Sequence, residues 1–273
     1  MAFALGPKAL SSGYRLAAFD TIGSTSSEAI GRARKGDPGR LWVVATEQTA
    51  GHGRRGRPWQ TPSGNLAASL LMLVPVSSAG AATLGFAAAL ALEDAIRAVS
   101  PAAVVKSAID EASGIAARVQ LKWPNDVLID GAKVAGILLE AVGSSGSPTS
   151  VVIGIGVNVR RAAEGLSYPT TSLAACGADA SAEDLFRALS ESWVEYETAW
   201  NGGRGFAGIR DRWLMRAAGL GAPVAVRSGA DIFRGIFETI DEDGRLVVRG
   251  ADGAARTISA GDVHFGAAAT AAS

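Results

Sequence analysis

The chain has 273 residues, of which 48% are hydrophobic, and its 26 basic and 26 acidic side chains leave no net charge. This length allows one large domain with a small one beside it, and the neutral balance argues against broad nucleic-acid binding, which needs a basic face. The single cysteine, Cys176, excludes an intramolecular disulfide and a zinc site built from several thiolates. We see no signal peptide and no charge-free membrane-spanning run, so we predict a cytoplasmic protein without membrane contact.

The first predicted elements are a strand and a helix joined by a hydroxyl-rich turn. Residues 1–13 are predicted to be a frayed tail, and residues 15–22 a short strand. Thr25 followed by Glu28 has the spacing of a capping box, which predicts a helix start. Two interpretations of the Ser24 and Thr25 hydroxyls stay open: they cap the helix, or they face a ligand at its N-terminus.

A strand over residues 41–49 leads into a segment rich in glycine and arginine, GHGRRGRPW at 51–59. Glycine lets the backbone approach a ligand closely, and the planar arginine fork suits phosphate or carboxylate. The segment therefore predicts a mobile loop that closes over an anion, with Arg54, Arg55 and Arg57 as its cations. The alternative is a solvated turn without function.

The next stretch predicts core elements. Residues 65–74 are almost all apolar, which indicates a strand buried on both faces. Residues 81–99 have helical spacing, with Glu93 and Asp94 on the polar side of the helix. The small and polar residues 101–117 predict a variable connection.

Polar residues then gather around a Trp-Pro turn. Lys122 ends an alternating strand pattern, and Asn125 and Asp126 follow directly. A lysine in an apolar strand either has a polar or charged partner, or its long side chain extends until the ammonium group reaches solvent. Asp130-Gly131 between two apolar runs predicts a hairpin. Lys122, Asn125 and Asp126 together favour a phosphate and metal role.

Residues 151–159 predict a strand with Gly154, Gly156 and Asn158 on one face. Glycines on a buried strand indicate close approach of a ligand or another backbone. The pattern is not a dinucleotide fingerprint, because no third glycine and no helix follow.

The last third of the chain predicts a long helix and then a small barrel. Ser181 is the predicted N-cap of a helix that runs to Trp200. From Pro223 onward, short strands alternate with Asp-Gly turns, as in a small barrel. We therefore predict a tail at 1–13, a catalytic domain at 14–220 and a C-terminal domain at 221–273.

Four motifs stand in one order along the chain. They are GSTS at 23–26, EQTAGHGRRGRPW at 47–59, KWPNDV at 122–127 with KVAGILLE at 133–140, and GIGVNV at 154–159. Together they resemble the biotin protein ligases, over roughly residues 14–270. The resemblance implies an α/β (α+β) fold: a class II synthetase-like, biotin–lipoate ligase catalytic domain with a central mixed sheet, plus a small SH3-like C-terminal barrel.

The resemblance also implies an activity, that of a biotin–[acetyl-CoA-carboxylase] ligase. Such enzymes use ATP and Mg²⁺ to convert biotin into biotinyl-5′-AMP, and they transfer biotin to a lysine of a biotin carboxyl carrier domain of acetyl-CoA carboxylase or another biotin-dependent carboxylase. Only a short segment precedes the first motif, so we expect a monofunctional ligase without the N-terminal DNA-binding domain. The alternatives are a lipoate or octanoate ligase, a non-catalytic biotin or nucleotide regulator and, less well supported, a DNA-binding repressor. The sequence leaves open whether the chain forms a homodimer.

The family's functional residues carry over to matching positions of this chain. The resemblance implies that biotin is bound by Ser24, Thr25, Gln48, Gly51, Gly53, Arg54, Lys122 and Gly136. It implies that the nucleotide is bound by Arg54, Arg57, Trp59, Trp123, Asn125 and Asn158. The implied catalytic residues are Lys122, Arg54, Arg57 and Asp126, and Asp126 either holds a metal or orients the acceptor amine. The chain departs from the pattern at His52, where the family usually has arginine, so His52 is left out of the site.

Overall fold

A computed structural model describes residues 2–101, 119–143, 148–229 and 231–265. Apart from Pro101, the connection predicted at 101–117 lies outside the described residues. Two sheets and a set of helices account for most of the described chain. This arrangement confirms the prediction of a mixed α/β protein with a large mixed sheet.

The described elements follow one another in two groups. The helices are α1 (Pro7–Ser11), α2 (Thr25–Arg34), α3 (Ser78–Ala81), α4 (Leu84–Val99), α5 (Ala182–Trp200) and α6 (Phe206–Leu214). The strands of the first group are β1 (Arg15–Ile22), β2 (Leu41–Gln48), β3 (Leu66–Val74), β4 (Val119–Lys122), β5 (Asp126–Ile129), β6 (Ala132–Val142) and β7 (Thr149–Val157). The strands of the second group are β8 (Pro223–Ser228), β9 (Asp231–Ile240), β10 (Leu246–Arg249), β11 (Ala255–Ile258) and β12 (Asp262–Phe265).

The large sheet has the strand order β1-β2-β3-β7-β6-β5-β4. Only β1 and β2 pair in parallel, and the other neighbours are antiparallel. The predicted Asp130-Gly131 hairpin joins β5 to β6, and both turn residues have positive φ. The register of β6 with β7 sets Gly136 directly opposite Gly156. The sheet thus gains a floor of two neighbouring glycines where β6 and β7 meet.

The N-terminal segment is packed against the protein, so the prediction of a frayed tail is wrong. Leu5 and Ala9 are buried, and the Gly6 amide donates a hydrogen bond of 2.8 Å to the Ser190 hydroxyl on α5. Apolar burial of Leu5 and Ala9 outweighs the entropy of a free end. No local pattern predicts this packing, because the partner of the segment, α5, lies far away in sequence.

The capping role predicted for Thr25 belongs to Ser24. Ser24 has extended backbone angles, and its hydroxyl accepts a hydrogen bond from the Ser27 amide at 3.3 Å. Thr25 is the first helical residue of α2, and its side chain points elsewhere. The hydroxyl of Thr25 is therefore available for interactions outside the helix.

The predicted polar face of α4 is also wrong at one position. Glu93 is fully buried and forms ion pairs with Arg97 and Arg216. Burial raises the pKa of the Glu93 carboxyl, although both arginines oppose this change. Arg216 lies between α6 and β8, so a distant part of the chain supplies the partner that lets Glu93 be buried.

The second sheet is antiparallel, with the order β11-β10-β9-β8-β12. It begins at Pro223, whereas α6 ends at Leu214; the domain boundary at residue 220 stays a prediction. The C-terminal sheet contacts the first part of the chain through Trp123, whose indole Nε1 donates to the Gly244 carbonyl at 3.0 Å. The first residue of β12, Asp262, reaches the mouth of a cavity on the large sheet.

Candidate functional site

A cavity lies on the large sheet between the N-terminus of α2, the strands β3, β6 and β7, and the glycine- and arginine-rich segment. Its walls come from stretches that are far apart in sequence. The residues lining it are Ser24, Thr25, Ser26, Gln48, His52, Gly53, Arg54, Arg55, Arg57, Pro58, Trp59, Ala67, Ala68, Ser69, Asn125, Asp126, Lys133, Gly136, Ile137, Leu138, Gly154, Ile155, Gly156, Tyr168 and Asp262.

One end of the cavity is lined by uncharged hydrogen-bonding groups. The Gln48 amide oxygen accepts from the Thr25 backbone N–H at 2.8 Å and from its hydroxyl at 3.1 Å. The Ser69 hydroxyl lies 2.8 Å from the Thr25 hydroxyl and 3.0 Å from the Ser26 hydroxyl. The hydroxyls of Thr25, Ser26 and Ser69 are fixed by these hydrogen bonds, and Ser69 is fully buried on β3. This end can present both donors and acceptors to a neutral polar ligand.

Glycines form the floor in the middle of the cavity. A Cβ at Gly156 would lie 2.3 Å from the Trp59 indole, and one at Gly136 would lie 3.3 Å from the same ring. A Cβ at Gly154 would lie 2.6 Å from the Ser26 hydroxyl. Any larger residue at Gly154 or Gly156 would push these groups away, so the glycines allow the Trp59 ring and the Ser26 hydroxyl to lie close to the sheet.

The glycine- and arginine-rich segment is folded as a short hairpin over the cavity. Gly53 N donates to Arg57 O at 2.8 Å, and Trp59 N donates to Gly51 O at 2.9 Å. At the tip, Arg55 has a φ of 58°, which is uncommon for a residue other than glycine. His52 lies on the cavity side, with its Nε2 atom 3.5 Å from Glu140 Oε2 on β6. The segment therefore forms a hairpin that lines one side of the cavity.

Lys133 is a cation in the cavity lining. It is the second residue of β6, and its ammonium lies 2.7 Å from the Asp126 carboxylate. The Trp59 and Tyr168 rings each lie 5.6 Å from the same ammonium. A lysine held between a carboxylate and two aromatic rings is fixed in one position.

Three arginines of the hairpin surround the other end of the cavity. The Arg54 guanidinium donates to the Asn125 amide oxygen at 3.2 Å, while Arg55 and Arg57 both pair with Asp262. Burial lowers the pKa of Arg54, although an arginine stays charged at any physiological pH. Partial burial opposes ionisation of Asp262, but the Arg57 hydrogen bond and the neighbouring arginine charges hold its pKa below the ordinary value. With Lys133, this end suits an anion.

Most of the residues implied by the resemblance come together in this cavity. Its lining includes Ser24, Thr25, Gln48, Gly53, Arg54, Arg57, Trp59, Asn125, Asp126 and Gly136. Gly51 lies just behind, where a Cβ would be 2.7 Å from the Gln48 amide nitrogen.

The lining does not include Lys122, Trp123 or Asn158. The Lys122 ammonium lies 5.4 Å from the ring of Phe265, and burial lowers its pKa while Asp126 opposes this. Trp123 is buried, and Asn158 is also buried with its amide donating to the Thr171 carbonyl at 3.1 Å. Their interactions hold the fold together around the site, so a direct ligand role for them stays a prediction.

Sequence reasoning missed Lys133, Ser69 and Asp262. A signal for Lys133 was available, because it too is a lysine at one end of a buried strand, as Lys122 is. No local signal marks Ser69 or Asp262, since each becomes part of the site only through a partner distant in sequence.

The described residues do not form a ready metal site. Over 2–101, 119–143, 148–229 and 231–265, no group of three or more His, Cys, Asp or Glu side chains is placed to hold a metal ion. Asp126, the predicted metal ligand, is engaged by Lys133. Among the helices that the structure describes, none combines the length and apolar character needed to cross a membrane.

Comparison with known proteins agrees with this geometry. Residues 26–158 match the biotin/lipoate A/B protein ligase family, and residues 219–266 match the biotin protein ligase C-terminal domain. A biotin–[acetyl-CoA-carboxylase] ligase of Paracoccus denitrificans is 41% identical over 249 residues, which cover 89% of this chain and 97% of that protein. The chain belongs to the biotin protein ligase family. The bifunctional ligase/repressor BirA of Escherichia coli is 29% identical over 86% of this chain and 70% of its own length.

Solved structures of biotin protein ligases share the architecture. The Aquifex aeolicus ligase in complex with biotin and ATP is 21% identical, with a TM-score of 0.72 over 92% of this chain and 97% of that chain. The Leishmania major ligase in complex with biotinyl-5-AMP is 27% identical, with a TM-score of 0.57 over 90% of this chain and 99% of that chain. This biotin protein ligase family member thus has the family's fold over most of its length.

Proposed function

We propose that this chain is an ATP-dependent ligase that activates biotin as biotinyl-5′-AMP and transfers it to a lysine of a biotin carboxyl carrier domain. The observation that carries the proposal is the division of the cavity. One end has fixed neutral donors and acceptors, and the other has Lys133 with Arg54, Arg55 and Arg57. Biotin has a neutral cyclic urea at one end and a carboxylate at the other, so it matches this division.

The neutral end suits the cyclic urea. Its carbonyl accepts hydrogen bonds and its two N–H groups donate them, which requires donors and acceptors at fixed positions. The Thr25 and Ser26 hydroxyls serve as donors or acceptors, and the Gln48 side chain supports Thr25. The ring system and the aliphatic tail then lie against the Trp59 indole, which itself rests on Gly136 and Gly156.

The cationic end suits adenylate formation. A carboxylate oxygen of biotin attacks the α-phosphorus of ATP, and the bond from that phosphorus to the bridging oxygen breaks as pyrophosphate leaves. Negative charge gathers on the phosphate oxygens, and Lys133 with the hairpin arginines stabilises that charge at fixed positions. The hairpin also covers the mixed anhydride, so water is excluded from a reactive acyl phosphate.

Mg²⁺ enters this scheme with ATP as part of the substrate. The described residues offer two carboxylates near the phosphate end, and both are already paired, Asp126 with Lys133 and Asp262 with Arg55 and Arg57. This donor set does not fit a resident metal, whereas Mg²⁺ is commonly held by substrate phosphates with few protein ligands. Bound in this way, the ion would neutralise the triphosphate; the protein's own contribution is the arrangement of its cations.

In the second step the acceptor lysine of the carrier attacks the acyl carbon as a neutral amine. The bond from the acyl carbon to the phosphate oxygen breaks, AMP leaves and the amine nitrogen loses a proton. The natural acceptor is a biotin carboxyl carrier domain of a biotin-dependent carboxylase. A homodimer and a cytoplasmic location stay predictions.

The direct test is a transfer assay. Incubate the protein with biotin, ATP, Mg²⁺ and an isolated biotin carboxyl carrier domain, and detect biotin on the carrier by mass spectrometry. A carrier whose acceptor lysine is replaced by arginine is the matched control. We expect biotin on the native carrier only, and the absence of both transfer and biotin-dependent pyrophosphate release would rule out the proposed function.

Lipoate is the nearest alternative substrate, because the matched family includes lipoate ligases. The dithiolane ring of lipoate has no N–H or carbonyl group, so it cannot exchange with the Thr25 and Ser26 hydroxyls the hydrogen bonds that the cyclic urea would make. Such loss of hydrogen bonding at a buried polar site is costly. We therefore expect biotin to be preferred when each acid is supplied in the same assay.

Thr25→Val is expected to weaken biotin binding by about 10- to 100-fold, because valine keeps the shape but removes a hydroxyl held among buried partners. The measurement is calorimetric titration of biotin into the folded variant. Ser27→Ala on the same helix turn is the control, because the Ser27 side chain is outside the cavity lining. Equal affinities for Thr25→Val and the native protein would remove Thr25 from the binding site.

Arg54→Gly is expected to release biotinyl-5′-AMP into solution faster than the native protein does. The change removes the bond from Arg54 to Asn125 that ties the hairpin to the sheet, and it removes one cation at the phosphate end. Free adenylate is measured by chromatography after one turnover without carrier. The Arg34→Gly variant, altered at the end of α2 away from the cavity, serves for comparison, and similar leakage from both variants would contradict the role of Arg54.

A further inference from the structure

A chain of hydrogen bonds runs through the neutral end of the cavity. The Gln48 amide nitrogen donates to the Thr61 hydroxyl at 3.1 Å. The Gln48 amide oxygen accepts from the Thr25 backbone N–H at 2.8 Å and from the Thr25 hydroxyl at 3.1 Å. The Thr25 hydroxyl then lies 2.8 Å from that of Ser69, which lies 3.0 Å from that of Ser26. Five side chains from four segments thus form one chain.

The direction of this chain is set at Gln48. A backbone N–H can only donate, so the Gln48 atom that meets the Thr25 N–H has to be the amide oxygen. An amide oxygen can only accept. The Thr25 hydroxyl, which contacts the same oxygen, therefore donates its proton there, because oxygen lone pairs facing each other at 3.1 Å would repel.

The remaining protons follow from this start, because a hydroxyl has one proton. The Thr25 proton is used on Gln48, so Ser69 donates across its contact with Thr25. The Ser69 proton is then used as well, so Ser26 donates to Ser69. All three protons point into the protein, and the Thr25 and Ser26 hydroxyls turn lone pairs toward the cavity that they line.

Ser24 lines the same end but has the opposite character. Its hydroxyl accepts from the Ser27 amide at 3.3 Å, and its own proton can be donated into the cavity. The acceptors of this end are therefore separate from its donor. A ligand that fits them has N–H groups next to a carbonyl.

We propose that Ser69 is a positioning residue that sets the Thr25 and Ser26 hydroxyls as hydrogen-bond acceptors, so that this end of the cavity selects a ring with N–H donors. Ser69 is fully buried on β3 and acts through the two hydroxyls of α2. The selection of the biotin ring rests on the proposed function. The direction of the chain rests on the ligand-free protein alone.

The direction is tested by neutron diffraction from crystals of the ligand-free, full-length protein in deuterated solvent, where deuterons on hydroxyl oxygens are seen directly. We expect a deuteron on Ser69 Oγ directed at Thr25 Oγ1, and one on Ser26 Oγ directed at Ser69 Oγ. A deuteron on Thr25 directed at Ser69, or on Ser69 directed at Ser26, would overturn the proposal. The native protein is used, so the result does not depend on the folding of a variant.

The selection is tested by calorimetric binding of biotin and of two analogues in which one or the other ring N–H is replaced by oxygen. The native protein is expected to bind at least one analogue about 30- to 1,000-fold more weakly than biotin, because the ring oxygen turns a lone pair toward a hydroxyl lone pair at a buried site. Equal affinities for biotin and both analogues would overturn the selection.

Ser69→Ala is the decisive variant. Without the Ser69 hydroxyl, the Ser26 proton can turn toward the cavity and meet a ring oxygen. The ratio of biotin affinity to analogue affinity should then fall by about three- to tenfold for at least one analogue, the contribution of one hydrogen bond. A merely structural role of Ser69 would weaken the binding of biotin and of the analogues alike.

Ser190→Ala is the matched control. Ser190 is also fully buried, its hydroxyl bonds to the backbone of Gly6 and Arg187, and it is outside the cavity lining. We expect native affinity ratios for this variant. Unchanged ratios in Ser69→Ala, or an equal fall in Ser190→Ala, would overturn the role of Ser69.

These experiments separate the proposal from the proposed function. If the native protein neither binds biotin nor transfers it to a carrier domain, the ligase assignment fails, and the deuteron positions still decide the direction of the chain. If biotin is transferred and the affinity ratios do not respond to Ser69→Ala, the ligase assignment stands and the role of Ser69 fails.

Discussion

Replacing Lys133 by alanine is expected to lower the rate of biotinyl-5′-AMP formation by about 10²- to 10³-fold, the usual cost of removing one preorganised donor to transition-state charge. Lys133 is the only lysine that lines the cavity within the described parts of the chain. Its ammonium is held by Asp126 and two aromatic rings, so it needs little rearrangement to meet a phosphate or carboxylate oxygen.

Lys122→Met is the matched comparison, because the resemblance points to Lys122 and the cavity to Lys133. Methionine keeps an apolar stem against Phe265. We expect the Lys122 variant to lose less than about tenfold in rate, as for a side chain outside the reacting groups. The measurement is biotin-dependent exchange of pyrophosphate into ATP at saturating substrates, with circular dichroism to establish folding. A larger loss in the Lys122 variant would reverse the two assignments.

Arg216→Ala is expected to lower the free energy of unfolding by about 1–3 kcal/mol, the range for removing one of the partners of a buried polar group. Arg216 Nε lies 2.9 Å from Glu93 Oε2, and Glu93 has no solvent exposure. The variant leaves this carboxylate with Arg97 as its remaining partner on α4. The pair also ties the segment before β8 to α4.

Arg212→Ala, one helical turn earlier, is the control for this prediction. Arg212 pairs with Glu195 at 3.4 Å, and both side chains are largely exposed to solvent. Such a surface pair contributes less than about 1 kcal/mol. Urea unfolding, followed by tryptophan fluorescence, measures both variants, and losses of the same size would show that Glu93 does not depend on Arg216.

The sequence by itself predicts those elements whose signals are local. The hairpin at Asp130-Gly131, the buried run of β3 and the capped start of α5 at Ser181 follow from turn chemistry, apolar patterning and capping, each within a few residues. The ordered motifs likewise indicate the ligase family. For the site, the sequence indicates the hairpin arginines and the polar turn at Ser24 and Thr25.

Only the tertiary structure decides which of these residues meet. Lys122 and Lys133 have similar neighbours in sequence. The pairing of β5 with β6 brings the Lys133 ammonium to Asp126, whereas the Lys122 ammonium lies against the Phe265 ring. The predictions of a frayed tail and of Glu93 on the polar side of α4 were wrong because burial against α5 and pairing with Arg216 are contacts between distant parts of the chain.

Asp262 is the clearest example of a residue whose place in the site only the tertiary structure decides. Its neighbours in sequence give no sign of chemistry, and its role arises because a separate sheet places one carboxylate beside two arginines some two hundred positions earlier. Local propensity is determined within a few residues, whereas electrostatic pairing and burial depend on distance in space. The sequence thus specifies the parts of the site, and the packing of the two sheets determines which charges share it.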